Sequence, residues 1–220
     1  MHLGLPIGKL KHVENFFSDK FRKVERSFYS LNSLGVNNTG LNYFIISNIY
    51  KKFSQSSFYY GLETNYLRKE CLNKINIRQN VLLKNVYGLS KYCRSKPLLN
   101  ALNIKSITQL YEEYKILFLK QIRRITLTWN IYNILLDRYN NELKPSRESC
   151  FYILKDLSFK YGFDLNNVNI NESLVAINDH YKENDQELID SLKSIIGKTG
   201  SQYFDDVARL QFKLILTVQF

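Results

Sequence analysis

Acidic residues are scarce in most of this 220-residue chain. Residues 1–140 hold 8 Asp and Glu against 22 Lys and Arg, a net +14, while residues 141–220 are slightly acidic at −3. Carboxylate-based catalysis therefore has few candidates in the longer part. Proline (3) and glycine (9) are too few for a β-sandwich or a disordered chain. Cys71, Cys93 and Cys150 are odd in number and widely spaced. That pattern argues against a disulfide framework and for a reducing intracellular compartment, cytoplasm or nucleus. His2, His12 and His180 are scattered, so no zinc pattern forms. There is no glycine-rich phosphate loop and no Ser or Cys nucleophile beside a plausible base. The apolar start, Met1 to Ile7, is too short for a signal peptide, and the longest apolar runs fall far short of a membrane span. The reading is a soluble chain with no membrane partner, no metal, no cofactor and no catalytic residue of its own.

Apolar residues are abundant, at 45% of the chain, with 16 Tyr and 14 Phe. That suffices for one sizeable core, or a core and a smaller second unit. Most Tyr read as core and surface filler. From Lys9 to Leu34, Leu10, Val13, Phe17, Phe21, Val24, Phe28 and Leu31 recur every three or four residues, the signature of an amphipathic helix. Lys11, Arg22, Lys23 and Arg26 fall on the opposite face, with Lys20 and Phe16 at its border and Glu14 and Glu25 to one side. A basic face flanked by an aromatic suits a phosphate backbone; it also suits an ordinary wet helix face.

A second helix is expected over Leu41 to Phe58, carrying Phe44, Ile45, Ile49 and Phe53 and mostly buried, with Gly61 stopping or bending it. A third spans Tyr66 to Tyr87. It places Gln79 on its apolar face, where a buried amide must find partners and so fixes local geometry, and it ends at Gly88. Lys91, Arg94 and Lys96 crowd the loop that follows. Ser106-x-x-Gln109 reads as a capping box. The helix after it either runs past Arg123-Arg124 or breaks near Thr126–Thr128. The polar stretch Asn140 to Ser146, which holds Pro145, is the best boundary. It divides a basic helical region, 1–140, from a smaller, slightly acidic helical region, 141–220. Helices are expected near 146–161, 172–182, 185–196 and 201–218.

The order of several short motifs carries a resemblance. They are Leu3-Gly4, then Tyr60-Gly61-Leu62-Glu63, then Gln79-x3-Leu83-Lys84 leading to Gly88-Leu89. Last comes Leu99-x2-Leu102-x-Ile104 leading to Gln109-Leu110-Tyr111. Over residues 1 to about 125 the chain resembles the thumb and connector region of a non-LTR (LINE-type) retrotransposon reverse transcriptase, just downstream of its catalytic palm. The resemblance implies a mostly α, thumb-like helical bundle with a short extended stub at residues 3–7 and a smaller C-terminal helical unit. It also implies a C-terminal fragment of an RNA-directed DNA polymerase that makes sequence-independent contact with an RNA–DNA or RNA duplex. The family's metal-binding carboxylates lie on palm strands upstream of the matching region, so the chain is expected to be inactive alone.

Tyr203-Phe204-Asp205-Asp206 has the letters of the reverse-transcriptase Tyr-x-Asp-Asp hairpin. It follows the thumb-like region instead of preceding it, and it opens an expected helix with acids in the first turn, where the helix dipole favours them. It is therefore read as non-catalytic. The nucleic-acid-binding candidates are Lys11, Lys20, Arg22, Lys23, Arg26, Lys91, Arg94 and Lys96. Two other readings stay open: a helical protein-interaction module, with a palm domain or another protein as partner, and a truncated copy of a mobile element without function.

Overall fold

The computed structural model describes residues 8–34, 42–142, 149–165 and 169–182, with Pro6, Val36, Ser146, Gln186, Glu187, Ile189 and Asp190. The stub expected at 3–7 (apart from Pro6), the helix expected at 201–218 with Tyr203–Asp206, and most of 185–196 lie outside those residues. The protein is mostly helical, and no strand occurs among the described residues. The elements are α1 (Leu10–Ser30, continued by a 3-10 turn at Leu31–Leu34), α2 (Tyr43–Ile49), a π-helical segment (Tyr50–Gln55), α3 (Ser56–Tyr59), α4 (Lys69–Val86), α5 (Ser95–Ala101), α6 (Ile107–Arg123), α7 (Thr126–Asn141), α8 (Cys150–Tyr161) and α9 (Ile170–Tyr181).

The chain divides into two compact units, each assembled from separate stretches. The first comprises Met1–Phe16, Tyr59–Lys69 and Thr108–Tyr181; the second comprises Phe17–Phe58, Glu70–Ile107 and Lys182–Phe220. A boundary at 140/141 does not fall between them. Tyr132 and Leu136 of α7 share one core with Leu154 of α8 and with Leu165. The polar, proline-bearing stretch marks the end of α7 without marking the end of a core.

The second unit is built on aromatic rings. Phe17, Phe21, Val24 and Phe28 of α1 are fully buried, as their spacing predicts. Phe58 stands edge-on to Phe17 and Phe21, at centroid distances of 5.8 and 5.6 Å. Tyr50 meets Phe28 in the same way at 5.4 Å. Such edge-to-face pairs are favoured by the ring quadrupoles.

Two glutamines are sealed into the same unit. Gln55 and Gln79 both donate from Nε2 to the carbonyl of Lys105, at 2.9 and 3.1 Å, and the Oε1 of Gln79 accepts from the Ile107 amide at 3.2 Å. Gln79 thus satisfies one of the amides that a helix start leaves without a partner in its own helix. Its predicted geometric role is the observed one. Gly88 (φ +63) closes α4: the Leu89 amide reaches back to Lys84 O and the Gly88 amide to Asn85 O, a Schellman ending that needs a left-handed residue.

The α2 region departs from expectation. Phe44, Ile45 and Phe53 are exposed (43%, 48% and 71%), and the buried side chains are Tyr43, Ile46, Ser47, Tyr50, Ser54, Gln55 and Phe58. The inward face is written largely in Tyr, Ser and Gln. The π segment then inserts i→i+5 bonding into the helix and changes the register that a 3.6-residue period would keep.

The first unit is held by buried polar groups as well as by its apolar core. The Glu112 carboxylate accepts from Lys160 Nζ (2.9 Å) and from the hydroxyls of Tyr161 (2.5 Å) and Tyr181 (3.1 Å), tying α6 to α8 and α9. Burial, followed by this carboxylate, raises the pKa of both phenols above its ordinary range, so both stay protonated donors. Lys115 is fully buried, and its Nζ donates to the carbonyls of Glu63 and Asn65, both at 2.8 Å. Burial lowers its pKa to about 8. The Tyr111 hydroxyl accepts from the Leu67 amide (3.1 Å) and donates to Asn65 O (3.3 Å). The turn after Gly61 is therefore fastened to α6 at two points. Between α6 and α7 the helix breaks, and the Thr128 hydroxyl turns back to the carbonyls of Ile122 and Ile125.

Candidate nucleic-acid interface

The helix α1 delivers its cations to solvent because its Phe and Val residues fill the opposite side. Lys11, Arg22, Lys23 and Arg26 are all exposed. Arg22 and Arg26 are one turn apart, four residues, and so lie on one face. Arg22 forms an exposed ion pair with Asp19 at 3.1 Å, a contact worth at most about 1 kcal/mol and readily exchanged for another anion. Lys20 is half-buried, with Nζ 5.8 Å from the Phe17 ring centroid, and so is less available than its sequence position implies. Lys11 belongs to the first unit; Lys20, Arg22, Lys23 and Arg26 belong to the second.

The two glutamates beside this face do not compete with it for cations. Within the first unit Arg68 grips Glu14 with two bonds, Nε at 2.7 Å and Nη2 at 2.8 Å. Within the second, Arg78 grips Glu25 at 3.0 and 2.5 Å while its other nitrogen reaches Ser18 O at 3.1 Å. The Arg78 guanidinium also lies 5.2 Å from the Phe21 ring centroid. Paired, fork-to-fork arginines cancel both acids, leaving the face more positive than a count along α1 gives. The sequence signal for this was thin, since Arg68 and Arg78 lie more than 50 residues from their partners.

The second basic group sits on the loop after α4. Lys84 is buried, and its Nζ donates to Lys91 O at 3.0 Å, bracing the loop from inside. Burial lowers the Lys84 pKa. Lys91 is exposed with Nζ 4.9 Å from the ring centroid of Tyr92, itself 68% exposed. Arg94 is half-buried at the N-cap of α5, and Lys96 is exposed in its first turn. The eight candidates thus form a helix face and a loop within the second unit, plus Lys11 in the first.

A further recess in the first unit escaped the sequence reading. Tyr59, Tyr60, Glu63 and Tyr114 line a cavity of about 480 Å³ with Lys120 and Arg124. The rings of Tyr59 and Tyr114 are 5.1 Å apart. Burial raises both phenol pKa values, so the rings stay neutral. Lys120 and Arg124 are exposed and one helical turn apart. Flat rings beside cations can stack a base and hold its phosphate. Nothing in the spacing of the tyrosines announces that Tyr59 meets Tyr114.

Among the described residues no cluster of three or more His, Cys, Asp and Glu could hold a metal ion. No described helix is long and apolar enough to cross a membrane. No protein-family model, curated protein or solved structure matches this chain.

Proposed function

We propose that the chain binds nucleic-acid duplexes without reading their sequence, through the exposed cations of α1 and the loop of Lys91, Arg94 and Lys96. The manner would be that of the thumb of a non-LTR retrotransposon reverse transcriptase. In this reading the protein works inside the cell, in cytoplasm or nucleus, and performs no polymerisation alone. Phosphate contacts position a duplex but carry no sequence information. The observation that carries the reading is the state of α1: Lys23 and Arg26 exposed, with Glu14 and Glu25 each held by an arginine.

The test is a salt titration of binding to an RNA–DNA duplex. Log affinity is expected to fall with log salt by about 0.9 per neutralised phosphate. A variant carrying Arg22→Glu, Lys23→Glu and Arg26→Glu is expected to give a slope shallower by roughly 2–3. No binding of the wild-type chain at low salt overturns the proposal.

One observation favours a second reading, a protein-interaction module. Phe44, Ile45 and Phe53 are large, apolar and exposed on one stretch of the second unit. Under that reading, Phe53→Asp removes partner binding and leaves duplex binding unchanged.

A further inference from the structure

We propose that the first unit holds a site for one unpaired nucleotide, guanine by preference, whose base stacks on tyrosine while its phosphate meets a pair of cations. The site is the recess of about 480 Å³ lined by Tyr59, Tyr60, Glu63 and Tyr114 with Lys120 and Arg124. All of these residues belong to the first unit. The proposal does not rest on the duplex reading and uses none of its residues.

The rings set the aromatic part. Small-molecule pockets usually span about 300–1,000 Å³, and the recess falls within that range. Tyr60 is 51% exposed and so is open to a ligand from solvent. A base inside a duplex has its faces covered by its neighbours, whereas an unpaired base can lay one on an aromatic ring. The turn that carries Tyr60 and Glu63 is fixed in advance. Lys115 Nζ donates to the Glu63 carbonyl at 2.8 Å, and the Asn65 amide donates to Gly61 O at 3.2 Å. A site already in place binds at a lower ordering cost.

The charges set the polar parts. Lys120 and Arg124 are exposed, and neither forms an ion pair among the described residues. The neighbours Arg123 and Arg124 differ. The Arg123 guanidinium lies 5.1 Å from the Trp129 ring centroid, whereas Arg124 borders the recess. Glu63 borders it near Tyr114: after burial, its charge is the largest cause of the raised Tyr114 pKa. Glu113 also acts on Tyr114, but it is buried, accepts from Gln109 Nε2 at 3.3 Å and does not line the recess. A carboxylate accepts N–H donors and has none to offer a carbonyl. Guanine sets two N–H donors side by side on its pairing edge, while uracil sets one between two carbonyls. Glu63 therefore favours guanine, and the cations take the phosphate.

The intact chain is titrated by calorimetry with GMP, UMP, guanosine and the single-stranded oligonucleotide r(UUGUU). GMP is expected to bind with a Kd of about 1 mM or tighter, and about tenfold more tightly than either UMP or guanosine. Glu63→Gln is expected to remove the preference for guanine, and Lys120→Ala with Arg124→Ala the preference for the phosphate. Tyr60→Ala is expected to weaken GMP about tenfold, the worth of a stacked base, while Tyr60→Phe keeps the affinity. An oligonucleotide that binds more tightly than GMP assigns the site to a strand, and equal affinity assigns it to a free nucleotide; either supports the proposal. Failure of the duplex reading is separable. The Arg22→Glu, Lys23→Glu, Arg26→Glu variant is expected to keep GMP binding, and Tyr60→Ala to keep duplex binding. No saturable binding of GMP or the oligonucleotide by the wild-type chain overturns the proposal, and equal affinity for GMP and UMP overturns its guanine preference. GMP binding indifferent both to Tyr60→Ala and to Lys120→Ala with Arg124→Ala also overturns it, leaving those cations as complements of the α6 C-terminal dipole alone.

Discussion

The two units solve the same problem with different chemistry. The second buries rings against rings, with Phe58 set between Phe17 and Phe21, and leaves Lys23 and Arg26 in water. The first turns charged groups inward: Glu112 gathers Lys160, Tyr161 and Tyr181, and Lys115 is sealed against two carbonyls. A chain with a large positive balance can therefore present it unevenly. In the second unit Lys23 and Arg26 stand in water while Arg78 and Lys84 are committed to the fold, as Lys115 and Lys160 are in the first.

Four substitutions test that contrast, in falling order of effect. Phe58→Ala removes a ring from the centre of the second unit and is expected to cost about 3–5 kcal/mol in chemical denaturation, with no dependence on pH. Glu112→Gln weakens three contacts in the first unit at once, and is expected to cost about 2–3 kcal/mol because hydrogen bonds to a charged acceptor become neutral ones. A loss as small as that of a surface ion pair would show the knot to be ornamental.

Lys115 gives a pH signature. Its folded pKa, about 8, lies below the ordinary 10.5, so above pH 8 the unfolded chain binds more protons than the folded one. Stability should then rise with pH, by on the order of 1–2 kcal/mol between pH 8 and 9.5. In Lys115→Met that rise should vanish when unfolding is followed across the same range. Last, Gly88→Ala forces a side chain onto the left-handed residue that ends α4, and is expected to cost about 1 kcal/mol by thermal melting.

Much of the helical plan could be read from the residues. The spacing of Val13, Phe17, Phe21, Val24 and Phe28 located the buried face of α1, and Gly88 located the end of α4. Burial of Gln79 was also legible, because a polar residue on an apolar stripe has to be paired. What resisted reading depended on distance along the chain. Arg68 and Arg78 silence Glu14 and Glu25 from more than 50 residues away, and Tyr114 reaches Tyr59 from a separate helix. The inner face of α2 was missed for a local reason. Tyr43, Ser47 and Tyr50 are buried there while Phe44 and Phe53 face out, so hydrophobicity alone pointed to the wrong side. The discontinuous units were hidden for a related reason: a polar stretch can end a helix without ending a core.

The π segment at Tyr50–Gln55 has a consequence for how the sequence can change length. A run of i→i+5 bonds holds one residue more than an α-helix needs to cover the same path. Deleting exposed Lys52 or Phe53 would let the segment close into ordinary α-helix, with Tyr50 and Phe58 keeping their places on either side. The same deletion in the middle of α4 would rotate Gln79 away from Lys105 and Ile107. Six residues of an otherwise packed helix are thus a place where the chain can lose a codon and keep its fold.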